Sequence, residues 1–208
     1  MAYLFGGCTQ MSDVAAKDRP NVVHIVADDL GVMDVGFMGD KRYRTPNLDR
    51  LASQGMVFTE GYAPAANCAP SRACVMTGQN PTFHGIYTVG SSERGKSNTR
   101  KIIPTPNKTY LDDTHFLLTE VFKKQGYATV SIGKWHLGND PTIQGVDINI
   151  AGTRGGSPGR GGYFSPYQNP KLPDGPKGEY LTDRLGAEAV RFIEAHKDQS
   201  FFLYLPFF

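Results

Sequence analysis

Two kinds of apolar pattern alternate along the chain. Residues 21–27 (NVVHIVA) form a continuous, β-branched run, the mark of a strand buried on both faces. This run breaks into the polar turn Asp28-Asp29-Leu30-Gly31. A helix is then expected from Thr45, with Thr45 as cap, Pro46 in the first turn, Leu48 and Leu51 on one face and Gly55 as the stop. Val57-Phe58-Thr59 reads as a second short strand, and Ser71 to Gly78 as a helix that begins just after Pro70. Further on, Asp113 or Thr114 caps a helix whose Leu117, Leu118, Val121 and Phe122 form an apolar stripe, with Gly126 ending it. Tyr127 to Ile132 reads as another buried strand, leading into Gly133-Lys134-Trp135-His136-Leu137-Gly138. Nearly half of residues 151–178 are Gly or Pro, so this stretch is a loop, and loops this long in a compact domain are usually functional or disordered. Thr182 caps a last helix with Leu185, Ala189, Phe192 and Ile193 inward, and Phe201 to Leu205 is the final strand. Strands alternating with helices imply an α/β fold, a mainly parallel sheet flanked by helices. In such folds ligands sit at the carboxyl ends of the strands.

Composition narrows this picture without redirecting it. A chain of 208 residues is long enough for one sizeable hydrophobic core, and its net charge of +2 gives no strong pull toward nucleic acid, so no nucleic-acid partner is expected. The cations Arg94, Lys96, Arg100, Lys101 and Lys108 fall in a polar loop and read as a solvated face. The three cysteines, Cys8, Cys68 and Cys74, are too few and too unevenly spaced for a disulfide framework. No apolar run is long enough to span a bilayer. Residues 1–19 read as a leader, and 20–208 as the domain. The start, Met1 to Cys8, is similar to the tail of a bacterial lipoprotein signal with Cys8 as the lipid anchor; a plain unprocessed leader is the other reading. At the other end, Ser200 to Phe208 reads as a buried strand that then stops, so the domain is expected to be cut short at its C-terminus.

Three segments carry chemistry. Asp28 and Asp29 follow the first strand directly. Adjacent carboxylates converge only where a strand gives way to a turn, and a converging pair suits a hard cation with oxygen ligands; taken alone, the pair reads rather as a helix cap beside a solvated Asp. Cys68 precedes Pro70 and Arg72 at a helix start, where the helix N-terminus and the Arg favour an anion. It is a reactive thiol, part of an oxyanion pocket, or a buried structural Cys. Lys134 and His136 are spaced to share one face of extended chain, a fixed cation beside a titratable imidazole. They suit an anionic ester, or else they are an exposed Lys and a satisfied His flanking a buried Trp135. The other histidines carry less weight: His24 as core or support, His84 as structural, His115 and His196 as helix-end residues.

Taken in order, Asp28-Asp29, Cys68-Ala69-Pro70-Ser71-Arg72 through Thr77-Gly78, and Gly133-Lys134-Trp135-His136-Leu137-Gly138 resemble the type I sulfatases of the alkaline-phosphatase-like superfamily, and in particular the N-terminal portion of bacterial carbohydrate sulfatases and arylsulfatases. The resemblance runs from residue 20 to 208. It implies that Cys68 is oxidised to formylglycine by a separate maturation enzyme that reads Cys-x-Pro-x-Arg. It further implies Ca2+ held by Asp28, Asp29 and an oxygen of modified Cys68, with Arg72 holding the formylglycine hydrate. Lys134 would bind sulfate oxygens and His136 would assist proton transfer. The family's remaining metal ligands, a second catalytic His and another sulfate-binding Lys are expected beyond residue 208, so the chain alone is expected to be weakly active or inactive.

The implied substrate is a sulfated carbohydrate, a galactose- or hexosamine-type glycan, with Asp147, Arg154 and Arg160 of the 145–176 loop as candidates for the sugar site. A polysaccharide substrate implies an exported, periplasmic or surface-tethered protein. Two other readings stand beside this one: a formylglycine-dependent phosphate or phosphonate ester hydrolase, and a non-catalytic remnant.

Overall fold

A computed structural model describes residues 19–208. Four strands form one parallel sheet in the order β1-β4-β2-β3: β1 Val22–Val26, β2 Ala128–Ile132, β3 Ile148–Ile150 and β4 Phe201–Pro206. The expected α/β architecture is therefore present. Between the strands lie α1 Pro46–Gln54, α2 Cys68–Thr77, the single turn α3 Pro81–His84, α4 Leu118–Lys124 and α5 Leu181–Ala195.

β4 lies inside the sheet, with Val22 opposite Phe202 on one side and Ala128 opposite Phe201 on the other. All six of its residues are buried. Its alternation sorts them between two cores. Phe201, Leu203 and Leu205 join Val130 and Ile132 against Leu181, Leu185, Ala189 and Phe192 of α5. Phe202 and Tyr204 join Ala69, Ala73 and Met76 of α2 on the opposite face, with Leu117 and Phe122 at α4. A strand sandwiched between two layers must be apolar at every position, which is why this one reads as an unbroken run. β1 is covered on one face alone: Val23 and Ile25 remain about half exposed.

Several boundaries differ from the sequence reading. Residues 57–59 form no strand. β3 was not foreseen: three residues long, it is held by pairing of Val130, Ser131 and Ile132 with residues 148–150. α2 begins at Cys68, three residues before Ser71, because Pro70 falls in the first turn, where its missing N–H costs nothing. α4 begins at Leu118 rather than near Asp113; the Glu120 carboxylate accepts the Leu117 N–H at 2.8 Å, while Asp112 and Thr114 bond to each other ahead of the helix. α5 starts at Leu181, with Tyr180 in place of Thr182 at its N-cap. Residues 151–178 are irregular, as expected, apart from isolated bridges such as Asn169 to Leu172. Cys8 and the leader lie outside the described residues.

Gly133 ends β2 at a point of close approach. A Cβ there would lie 2.0 Å from the Pro206 carbonyl oxygen, and its φ is +120°. Glycine lets the chain after β2 run flush against the end of β4, where the Lys134 N–H donates to the same Pro206 oxygen at 2.8 Å.

Candidate active site

The carboxyl ends of β1, β2 and β4 meet the N-terminus of α2. Asp28 and Asp29 follow β1 with one residue between, and Asp29 adopts left-handed backbone, φ 57°, which a short polar residue tolerates. Cys68 is the first residue of α2 and is half-buried; Arg72 lies one turn further in. Asp28, Asp29, Asn67, Cys68, Ser71 and Arg72 line one cavity of about 340 Å3. Lys134 and His136 are not in its wall; Lys134 joins the site through its ion pair with Asp28, and His136 lies within reach of the charges of Lys134, Arg72 and Asp28.

Arg72 is the hub of this arrangement. Its side chain is 3% exposed. One terminal nitrogen donates to Asp28 Oδ1 at 2.8 Å and to the Phe207 carbonyl at 3.2 Å. The other donates to the Lys134 carbonyl at 2.7 Å and lies 3.5 Å from the Tyr204 hydroxyl. Its Nε has no partner among the described residues. The buried Lys134 ammonium donates to Asp28 Oδ2 at 2.5 Å. One carboxylate is thus shared by two cations, while Asp29 brings a second carboxylate to the same cavity. Burial opposes ionisation of Asp28, but hydrogen bonds and charge from Lys134 and Arg72 outweigh it and hold its pKa below the usual carboxylate value.

His136 is 8% exposed and also sits in left-handed backbone, φ 61°. Its N–H donates to the Thr153 carbonyl at 3.0 Å. Burial, then the charges of Lys134 and Arg72, push its pKa down to about 4, against a smaller opposing effect of Asp28. The imidazole is therefore neutral at pH 7 and able to accept a proton. In the unfolded chain the ring takes a proton near 6.5, while the folded site resists it, so the buried neutral ring's contribution is complete above 6.5 and is lost as pH falls toward 4. His24 and His84 are lowered by burial too and act in the same direction. Urea unfolding followed by circular dichroism is expected to give a lower stability at pH 4.5 than at pH 7. His136→Ala is expected to remove at most about 3 kcal/mol of that difference.

The sequence candidates separate cleanly. Asp28, Arg72 and Lys134 are in direct contact, and Asp29 and Cys68 share the cavity with the first two. Among the described residues no three His, Cys, Asp or Glu side chains cluster as a metal cage. Lys134, expected to face an anion, is engaged with Asp28. Of the loop candidates, Asp147 is structural: it accepts the Thr129 N–H at 3.0 Å and pairs with Lys123 at 2.9 Å. Arg154 bonds Thr109 at 2.7 Å and is exposed, as is Arg160. The other histidines are supporting. His84 is fully buried with Nε2 3.3 Å from Cys74 Sγ, and His24 packs on Tyr204. Tyr204 and the Phe207 carbonyl, which hold Arg72, had no signal in the sequence beyond an apolar run.

Comparison with known proteins places this arrangement in context. The family model described as Sulfatase matches residues 20–207. Human N-acetylgalactosamine-6-sulfatase is 34% identical over 166 residues, covering 80% of this chain and 30% of that protein. The crystal structure of Ps i-CgsB in complex with k-i-k-neocarrahexaose superposes with a TM-score of 0.71 at 30% identity, covering 90% of this chain and 44% of that one. Phosphonate monoester hydrolase of Agrobacterium radiobacter shares the fold, with a TM-score of 0.59 at 21% identity, covering 91% of this chain and 40% of that one. The chain thus spans under a third of the curated relative's length and under half of each structure's.

Proposed function

The chain belongs to the sulfatase family, and from that premise we propose that the complete gene product hydrolyses the sulfate ester of a carbohydrate through a formylglycine made from Cys68. The observation that carries this reading is the single cavity in which Cys68 opens α2 beside Arg72, with Asp28 and Asp29 opposite. As an aldehyde hydrate, residue 68 would offer one oxygen to attack sulfur and a second to expel sulfate, so that neither step needs an outside nucleophile.

Arg72 and Lys134 supply the charge. Two buried cations, held in place by Asp28, would favour a sulfate group and the negative charge it gathers as the ester breaks. Arg72, fixed by two backbone carbonyls, orients residue 68 and its hydrate. His136, neutral at pH 7, takes the proton released when the diol attacks or collapses.

The donor chemistry also fits a hard cation. Asp28, Asp29 and residue 68 would each give an oxygen to Ca2+, which when bound polarises the sulfate. Three donors fall short of the six to eight that this ion takes, so the 208 residues alone are expected to turn over sulfate esters weakly or not at all. Similarity to an N-acetylgalactosamine-6-sulfatase and to Ps i-CgsB in complex with k-i-k-neocarrahexaose supports a sulfated galactose- or hexosamine-type substrate. An exported protein tethered at Cys8 belongs to the same proposal.

A second reading, phosphonate or phosphate ester hydrolysis, draws on the shared fold with the Agrobacterium enzyme. Co-expression with a formylglycine-generating enzyme, mass spectrometry of the Cys68 peptide, and rates on paired aryl sulfate and aryl phosphate esters test both. Aldehyde at residue 68 and faster sulfate turnover are expected. An unmodified thiol would remove the formylglycine reading, and faster phosphate turnover would favour the second. A modified, complete protein inert to both would point to a binding role.

A further inference from the structure

His136 is held by a segment outside its own motif. Its left-handed backbone is disfavoured for a non-glycine residue, and such a conformation persists only where surrounding structure imposes it. The segment 153–156 supplies that restraint twice. The Thr153 carbonyl accepts the His136 N–H at 3.0 Å. The backbone at Gly156 then covers the imidazole. A Cβ at residue 156 would lie 2.6 Å from Cε1, 2.9 Å from Nε2 and 3.1 Å from Nδ1. These are the atoms of the ring's proton-bearing edge, and the two nearest are closer than a real Cβ tolerates.

The glycine is there for space. Gly156 is not among the glycines with positive φ, so its backbone would accept an L-residue. Its neighbour Gly155 is not among them either, and a Cβ there would meet only Thr153 Oγ1 at 3.4 Å and the Ser157 carbonyl at 3.7 Å, ordinary contacts. Nδ1 of His136 is buried without a hydrogen bond among the described residues. No bond at that nitrogen fixes the ring's rotation, so shape must. The ring lies in a slot between its own strained backbone and the Gly156 main chain, beside the Asp28-Arg72-Lys134 cluster.

We propose that Gly156 is a positioning residue: its lack of a side chain lets residues 153–156 cover the His136 imidazole and hold the ring in one orientation. The inference rests on the proton-transfer role assigned to His136 above. A methyl group at residue 156 would push the ring aside by about 1 Å, and displacement on that scale can cost on the order of 10²-fold in rate.

The test uses the complete, matured gene product and an aryl sulfate. Gly156→Ala is expected to lower kcat about 10²-fold with little change in KM, while Gly155→Ala stays within about twofold. His136→Ala alone lowers kcat by roughly 10²- to 10⁴-fold. Adding Gly156→Ala to it should cost nothing further, because the ring through which Gly156 acts is gone. The ring ¹H–¹³C resonances of His136 should move in Gly156→Ala and stay in place in Gly155→Ala. If Gly156→Ala fails to fold, the double variant with His136→Ala should fold, since the clashing ring is absent. Losses that multiply in the double variant, unmoved resonances, a double variant that remains unfolded, or a silent Gly156→Ala beside a damaging His136→Ala would each overturn this inference alone. A His136→Ala protein at full rate would overturn the role given to His136, and this inference with it.

Discussion

Cys68→Ala is expected to abolish sulfate-ester turnover, lowering kcat by at least about 10⁴-fold in the complete, matured protein. The loss should be chemical. Cys68 is half-buried at the first position of α2 and forms no disulfide among the described residues, so trimming it to Ala should change stability by less than about 1 kcal/mol. Cys68→Ser separates the two steps of the proposed reaction. A serine oxygen can attack sulfur once, but it lacks the second oxygen that expels sulfate. The expected result is release of one equivalent of alcohol per enzyme followed by a stall, with sulfate retained on residue 68 and visible by mass spectrometry of the intact protein. Steady turnover by Cys68→Ala would sink the assignment of residue 68 as nucleophile.

Adjacent carboxylates should respond in opposite ways. Asp28→Ala leaves Arg72 and Lys134 buried against each other with no counter-charge, and loss of one partner from a buried ion pair typically costs about 3–5 kcal/mol. A variant that unfolds at markedly lower urea is expected, its activity lost with its structure. Asp29 is exposed and has no hydrogen bond or ion pair among the described residues, and its left-handed backbone suits asparagine equally well. Asp29→Asn should therefore unfold within about 0.5 kcal/mol of the parent yet lose most sulfatase activity and weaken Ca2+ binding, measured by calorimetry. Equal destabilisation by the two substitutions would contradict the arrangement in which Asp28 alone anchors the cations.

The sequence disclosed the parts of this site better than their connections. β2 and β4 were legible because strands buried on both faces are continuously apolar; β1 carries the same apolar run although one of its faces is open, and the polar ends of these strands marked where Asp28, Lys134 and His136 would gather. The signature around Cys68 placed α2 and Arg72. β3 stayed hidden, since a three-residue strand inside a Gly-rich stretch has no periodicity to detect and is held by its neighbour β2. The strand read at residues 57–59 had the right residue types but no partner to pair with. Arg72's partners were also out of reach: two are backbone carbonyls, at Lys134 and Phe207, and carbonyls leave no trace in residue identity. The hold of Gly156 on His136 had a faint signal, one glycine among many, which only the ring above it distinguishes.

The place of β4 in the sheet has a consequence in time. It is the last of the four strands to be synthesised, yet it pairs with both β1 and β2, and Val22 lies opposite a residue 180 positions later. At about 5–20 residues per second, β1 leaves the ribosome some 10–40 s before its partner exists. Closing a contact over so long a stretch is slow as well. Until β4 inserts, Arg72 has neither the Tyr204 hydroxyl nor the Phe207 carbonyl beside it. Under the formylglycine reading, this delay is the interval in which a maturation enzyme would reach the signature before the sheet encloses it. Assembly of the sheet then closes it, enclosing the guanidinium that the enzyme must read.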